Sequence, residues 1–152
     1  MSDHSIIQKT FSEFTTSELY AALKLRTDVF LVEQGVDETE LDGRDLEPGT
    51  VHFWLADGAE TVAYLRTLED EVPEHLDAKR IIGRVVVGPA FRGNGLAQRL
   101  VASVIERFGH EALLLHAQSY IAPLYEKFGF EAFGDEYVEA GIRHLSMYRA
   151  GA

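Results

Sequence analysis

The run Val85-Val86-Val87-Gly88-Pro89-Ala90-Phe91-Arg92-Gly93-Asn94-Gly95-Leu96-Ala97 constrains the fold more than any other part of the chain. Three β-branched residues in succession suit a strand covered on both faces. Pro89 stops it, because proline has no N–H for a ladder. A helix then opens near Gly95 and runs to Phe108, with Leu96, Leu100, Val101, Val104 and Phe108 on its inner stripe. Gly93 and Gly95 leave backbone uncovered where the first amides of that helix lack intrahelical partners and its dipole is positive. Such a turn suits the pyrophosphate of a cofactor. An ordinary strand-to-helix turn is the alternative that this segment alone leaves open.

The spacing excludes two other phosphate binders. A P-loop needs Gly-Lys-Ser/Thr at the helix start, where this chain has Gly95-Leu96-Ala97. A dinucleotide fingerprint needs a third small residue at 98, which is Gln98, and an acid after the next strand, whereas Glu111 precedes it.

Elsewhere the pattern is continuous over residues 1–152, with no repeat or Gly/Ser/Pro-rich linker, and predicts one domain. Ile6 to Phe11 reads as a strand. Thr16 or Ser17 caps a helix carrying Leu19, Ala22, Leu23, Val29 and Phe30, which ends near Gly35. Val51 to Ala56 and Thr61 to Leu68 form a hairpin turned at Asp57-Gly58. Arg80 to Val87 is the next strand, and Ala112 to His116 follows the long helix. A short helix begins near Pro123 and stops at Gly129. Phe130 to Val138 and His144 to Tyr148 close the chain as an antiparallel pair. The order β-α-β-β-β-α-β-α-β-β predicts an α/β (α+β) fold, a mixed sheet with helices on both faces.

A net charge of −11, from 25 acids against 14 bases, opposes binding to nucleic acid or anionic lipid and favours a cationic partner. The acids gather in two stretches, Asp37, Glu38, Glu40, Asp42, Asp45, Glu47 and Glu69, Asp70, Glu71, Glu74, Asp77, which read as solvated loops. The absence of cysteine removes disulfides, thiolate metal sites and a thiol nucleophile, and fits a reducing compartment. With no secretory pattern near Asp3, Glu13 and Glu18 and no long apolar run, the expected location is the cytoplasm, away from membranes. The six histidines, His4, His52, His75, His110, His116 and His144, show no metal-ligand spacing. No Gly-x-Ser-x-Gly elbow occurs either, so a direct reaction without a covalent enzyme intermediate is expected.

Several separated segments together resemble the GNAT superfamily of acyl-CoA-dependent N-acyltransferases. Val85-Val86-Val87-x-Pro89-x-x-Arg92-Gly93-Asn94-Gly95-Leu96-Ala97 is similar to its pyrophosphate motif, with Ala97 in place of the third glycine. Leu124-Tyr125-Glu126-Lys127-Phe128-Gly129-Phe130 is similar to its second motif. Leu25-Arg26-x-x-Val29-Phe30-Leu31-Val32-Glu33-Gln34, then Asp42, Asp45 and His52, Ala117-Gln118, and Tyr137-x-Glu139-x-Gly141-Ile142-x-His144 resemble the ElaA-type branch. Arg143 and Ala140 depart from that branch, which usually has proline and often an acid there.

The resemblance implies a mostly antiparallel sheet with a cleft between two central parallel strands, here Arg80 to Val87 and Ala112 to His116. It implies acetyl-CoA as cofactor, paired through its pantetheine to the edge of Val85, Val86 and Val87. The pyrophosphate would lie on the amides of Gly93, Asn94, Gly95, Leu96, Ala97 and Gln98, with Arg92 beside it. Tyr125 would be the general acid for the departing thiolate. Transfer to an amine also needs a base, a water relay or an acidic desolvating pocket, because an amine of pKa about 10.4 is almost wholly protonated at pH 7. His116 is the candidate for that base. Glu33, Gln34, His52 and His144 are candidates for the acceptor site. The implied activity is transfer of acetyl to a primary amine of a small molecule or peptide. A non-catalytic acyl-CoA sensor is the alternative, since a fold does not guarantee its usual reaction. Oligomeric state is not legible in the sequence.

Overall fold

In the computed structural model, residues 5–152 are described, which leaves Asp3 and His4 outside. Local chemistry sets the first elements. Strand β1 (Ile6–Lys9) is shorter than expected because Phe11–Glu13 turns away as a single 3₁₀ turn, with the Thr10 amide donating to the Glu13 carboxylate at 2.9 Å. Helix α1 (Thr16–Arg26) is capped by Thr15 rather than Thr16 or Ser17. Only Thr15 has a glutamate three residues on, and the two residues bond reciprocally: Thr15 N–H to the Glu18 carboxylate at 2.9 Å, Glu18 N–H to the Thr15 hydroxyl at 3.1 Å.

The expected single helix to Gly35 instead widens into a π-helix over Thr27–Glu33. It closes with Gln34 N–H on the Val29 carbonyl and Val36 N–H on the Phe30 carbonyl, 2.8 Å each, and Gly35 takes φ +65°. Uninterrupted π-turns are rare and tend to occur at functional sites.

Strands β2 (Val51–Asp57), β3 (Glu60–Glu69) and β4 (Arg80–Val87), helix α2 (Leu96–Phe108), strand β5 (Leu113–Gln118), helix α3 (Ala122–Glu126) and strands β6 (Glu131–Glu139) and β7 (Ile142–Arg149) follow in the expected order. They build one seven-stranded sheet, β1-β2-β3-β4-β5-β7-β6. Its neighbours are antiparallel except β4 and β5. On one face α2 buries Leu100, Val101 and Val104 against Phe53, Leu65, Ile82, Leu113 and Leu115. On the other, Ala22, Leu25 and Val29 cover Trp54, Tyr64 and Val86. Val85 and Val87 pack with the first cluster and Val86 with the second, so the triple valine is covered on both sides.

The pairing of β4 with β5 covers only Arg80 with Leu113, Ile81 with Leu114 and Ile82 with Leu115. Beyond Ile82 the strands part. Against β3, β4 pairs Gly83 with Arg66 and Val86 with Tyr64, so it carries one extra residue, a bulge that bends it away from β5. Arg84 sits in that bulge at φ +53°. The parting opens the cleft described next.

Candidate functional site

The cleft has a volume of about 870 Å³ and is floored by β4 and β5 where they separate. At one end lies the glycine turn. Gly88 N–H still bonds the Val62 carbonyl at 2.8 Å, Pro89–Phe91 forms one 3₁₀ turn, and Gly93 and Gly95 take φ +82° and +72°. Gly95 therefore enters α2 from the left-handed region. A side-chain carbon on Gly93 would meet nothing within 4 Å, so its backbone is open to close approach. The Asn94 side chain folds back onto the Phe91 and Arg92 carbonyls at 3.1 and 3.4 Å, which fastens the turn. Val85, Val86, Val87, Arg92, Gly93, Gly95, Leu96, Ala97 and Gln98 all line the cleft, whereas Asn94 does not. Its side chain holds the turn's shape instead.

These residues fit the two halves of coenzyme A. The β4 edge, unpaired with β5 past Ile82, offers backbone groups to an amide-rich arm, and the first turn of α2 offers amides and a positive dipole end to a diphosphate. Arg92 is already engaged: its Nε donates to the Val87 carbonyl at 3.0 Å, and its two terminal nitrogens to the Glu33 carboxylate at 2.7 Å each. That double contact holds the Glu33 carboxyl below the usual carboxylate range.

Tyr125 also lines the cleft. Pro123 sits in the first turn of α3, and the helix unwinds at Gly129, φ +91°, with Gly129 and Phe130 N–H returning to the Glu126 and Tyr125 carbonyls. The Tyr125 ring meets Phe130 edge-on at 6.1 Å and is only 4% exposed, yet it lines the cleft. Burial pushes its hydroxyl well above the usual phenol range.

Across the cleft from the turn, the π-helix end reaches over both strands. Glu33 meets Arg92, and Gln34 accepts from Gln118 at 3.3 Å. His116 and His144 also line this side; His144 stacks on Tyr137 at 5.6 Å, and its Nδ1 lies 2.8 Å from the Ile142 carbonyl.

His52 does not belong here. It is 1% exposed, lies off the cleft lining, and has both ring nitrogens occupied: Nε2 donates to the Asp45 carbonyl at 3.1 Å, which leaves Nδ1 to accept from Tyr64 Oη at 2.6 Å. Burial pushes its imidazole below the usual range.

Nor is all of the first acidic stretch solvated loop: Asp37 and Glu38 are exposed, but Glu40, Asp42 and Asp45 are paired with arginines. Asp45 is 5% exposed and accepts from Arg26 at 2.8 Å and Arg66 at 2.9 Å. Asp42 pairs with Arg66 and Arg84, and Glu40 pairs with Arg26 at 2.7 Å and Arg84 at 2.9 Å. Three arginines and three acids thus neutralise one another beneath the cleft. Burial alone would raise both aspartates; the arginines, with the Arg44 amide at Asp42, overturn that and hold both below the usual range. Glu40, Arg66 and Arg84, missed in the sequence, sit among the lining residues.

Comparison with known proteins settles the family. The model of the acetyltransferase (GNAT) domain matches residues 14–150. The chain belongs to the GNAT acetyltransferase family. Protein ElaA of Escherichia coli strain K12 is 37% identical over 142 residues, 91% of each chain. Among solved structures, an acyl-CoA N-acyltransferase from Pseudomonas aeruginosa superposes with TM-score 0.88 at 35% identity, covering 97% of this chain and all of that one. Escherichia coli ElaA superposes equally well, TM-score 0.88 at 34% identity, over 97% and 99% of the two chains. The ElaA-type resemblance and the mixed GNAT sheet are therefore correct, and the family's chemistry is acyl transfer from coenzyme A. No helix among the described residues is long and apolar enough to cross a membrane.

Proposed function

We propose that this GNAT protein moves an acetyl group from acetyl-CoA directly to a primary amine of a cationic small molecule or peptide. One observation carries this reading: the bulged edge of β4 runs straight into the glycine turn, and the buried Tyr125 faces the same cleft. A backbone N–H from Val85 to Val87 meets the oxyanion that develops as the amine attacks, a role that fixed dipoles in a water-poor cleft perform well. Amides from Gly93 to Gln98 hold the diphosphate. Tyr125 gives its proton to the departing thiolate.

Two observations support a cationic acceptor. Glu38 and Glu139 line the cleft and carry no ion pair among the described residues, while Arg26, Arg66 and Arg84 are neutralised by Glu40, Asp42 and Asp45. Carboxylates therefore carry the charge left over for recognition.

The test is a panel of primary amines read by thiol release from acetyl-CoA; because the chain has no cysteine, every thiol detected comes from the coenzyme. Wild type is expected to turn over at least one amine. Tyr125→Phe should lower kcat by roughly 10²-fold with coenzyme A affinity unchanged by calorimetry. Binding of coenzyme A without turnover of any amine sinks the enzymatic reading in favour of a sensor.

A further inference from the structure

His116 alternates along β5 with Leu115 and Ala117, which turn into the core under α2. It therefore points to the opposite face of the sheet, where the loop between β3 and β4 supplies one partner and β6 and β7 supply the others. Nδ1 lies 3.1 Å from Tyr137 Oη and 3.0 Å from Ser146 Oγ. Nε2 lies 3.2 Å from the Glu74 carboxylate. The loop that delivers Glu74 is itself fastened: the His75 ring stacks on Phe133 at 3.7 Å, the Tyr148 hydroxyl donates to Asp77, and Ala78 is buried.

The donor inventory fixes the protons. A carboxylate only accepts, so Nε2 carries the hydrogen and donates to Glu74, which leaves the Nδ1 lone pair to accept from a hydroxyl. With both nitrogens taken, His116 is not placed to meet an amine itself. Tyr137, half-buried and not itself a lining residue, lies between His116 and the stacked His144, both of which line the cleft.

Building on the acyl-transfer reading, we propose that Tyr137, His116 and Glu74 form a proton relay that deprotonates the acceptor ammonium. Tyr137 Oη is the contact atom, and the other two are positioning groups. One N–H bond of the ammonium breaks and leaves its electron pair on nitrogen. The proton bonds to Tyr137 Oη while the tyrosine's own proton passes to His116 Nδ1. The imidazolium is balanced by Glu74 and returns its extra proton to solvent, reachable because the His116 and Glu74 side chains are 33% and 48% exposed. The titratable groups around the relay are Glu74 from the loop, Tyr137 and Glu139 from β6, and His144 from β7.

The test uses full-length wild type, Tyr137→Phe, Glu74→Gln and Glu71→Gln, with acetyl-CoA and whichever of spermidine, cadaverine, tyramine and a lysine-ended peptide wild type acetylates fastest. Tyr137→Phe keeps the ring stack and should lower kcat by roughly 10²-fold with KM for acetyl-CoA unchanged. Glu74→Gln keeps an acceptor for Nε2–H but removes the anion that favours the charged ring. Its kcat for the amine should therefore also fall, by about tenfold or more, with KM for acetyl-CoA unchanged. Glu71→Gln, an exposed carboxylate on the same loop, should change neither. Wild-type kcat in Tyr137→Phe or in Glu74→Gln overturns the relay and leaves acyl transfer standing. Coenzyme A binding with none of the four amines acetylated overturns both.

Discussion

Arg92 grips Glu33 through two guanidinium nitrogens, each 2.7 Å from a carboxylate oxygen, and so ties the glycine turn to the end of the π-helix across the cleft. The arginine that the motif places beside a diphosphate is thus already neutralised. Both side chains are about 40% exposed, 42% and 40%, so the pair is worth little in itself. Its effect is to compete with phosphate. Glu33→Gln is expected to tighten coenzyme A binding by about two- to fivefold, measured by calorimetry at low salt. The gain should fade at high ionic strength as screening weakens the freed charge. Weaker binding would show that Glu33 instead holds Arg92 in place for the ligand.

The network beneath the cleft predicts a larger effect on stability. Arg26 and Arg66 both donate to one oxygen of Asp45, and both arginines are almost fully buried. Asp45→Ala leaves two buried guanidinium groups sharing Glu40 and Asp42. Removing one partner from such a cluster costs about 3–5 kcal/mol, because the remaining charge is left uncompensated. Urea unfolding checks this. A loss below about 1 kcal/mol, the range of surface pairs, would mean that water reaches the cluster.

The same region sets the response to acid. Burial lowers the His52 imidazole in the folded protein, so the unfolded chain takes up the proton first. The stability that comes from keeping the ring neutral is present above the unfolded value of about 6.5 and declines as pH falls from there toward the lower folded value. Asp42 and Asp45, held low by arginine, add a second loss below about pH 4, as protons bind the unfolded carboxylates. Thermal denaturation from pH 8 to 3 should therefore show Tm falling in two stages. His52→Gln should reduce the first stage; if it leaves that stage unchanged, His52 is not its source.

What the sequence disclosed follows from how far apart the cooperating residues are. The β4 strand, its stop at Pro89, the left-handed glycines and the inner stripe of α2 were all legible, because each is dictated by neighbours within a few residues. The stop of α3 at Gly129 was legible for the same reason. The ionic cluster was not. Arg26, Asp45 and Arg66 lie on three elements, and nothing local distinguishes Asp45 from a solvated loop acid such as Asp37. The π-turn was hidden too, since Val29 and Phe30 satisfy an ordinary helical period as well. Tyr137 stood within a quoted segment, but its pairing with His116 and Glu74 depends on the β5-β7-β6 order, which the order of elements along the chain did not fix.

The bulge in β4 yields the prediction that best separates stability from catalysis. At φ +53° Arg84 bears a penalty of about 1–2 kcal/mol for a residue with a β-carbon. Its guanidinium holds it there: Nε donates to the Glu40 carboxylate at 2.9 Å, and a terminal nitrogen to the Glu40 and Thr39 carbonyls at 3.2 and 3.4 Å. Arg84→Gly removes the strain and the tether together, so the two effects offset and Tm should move by only a few degrees. Val85 to Val87, proposed to supply the oxyanion's N–H, immediately follow the bulge, and without the tether that N–H loses its fixed aim. Turnover should fall by about tenfold or more, because small misplacements of stabilising groups are costly, and KM for acetyl-CoA should rise with it, since the same edge pairs with the coenzyme's arm. An unchanged kcat in a stably folded Arg84→Gly would show that the bulge keeps its shape through pairing with β3 alone.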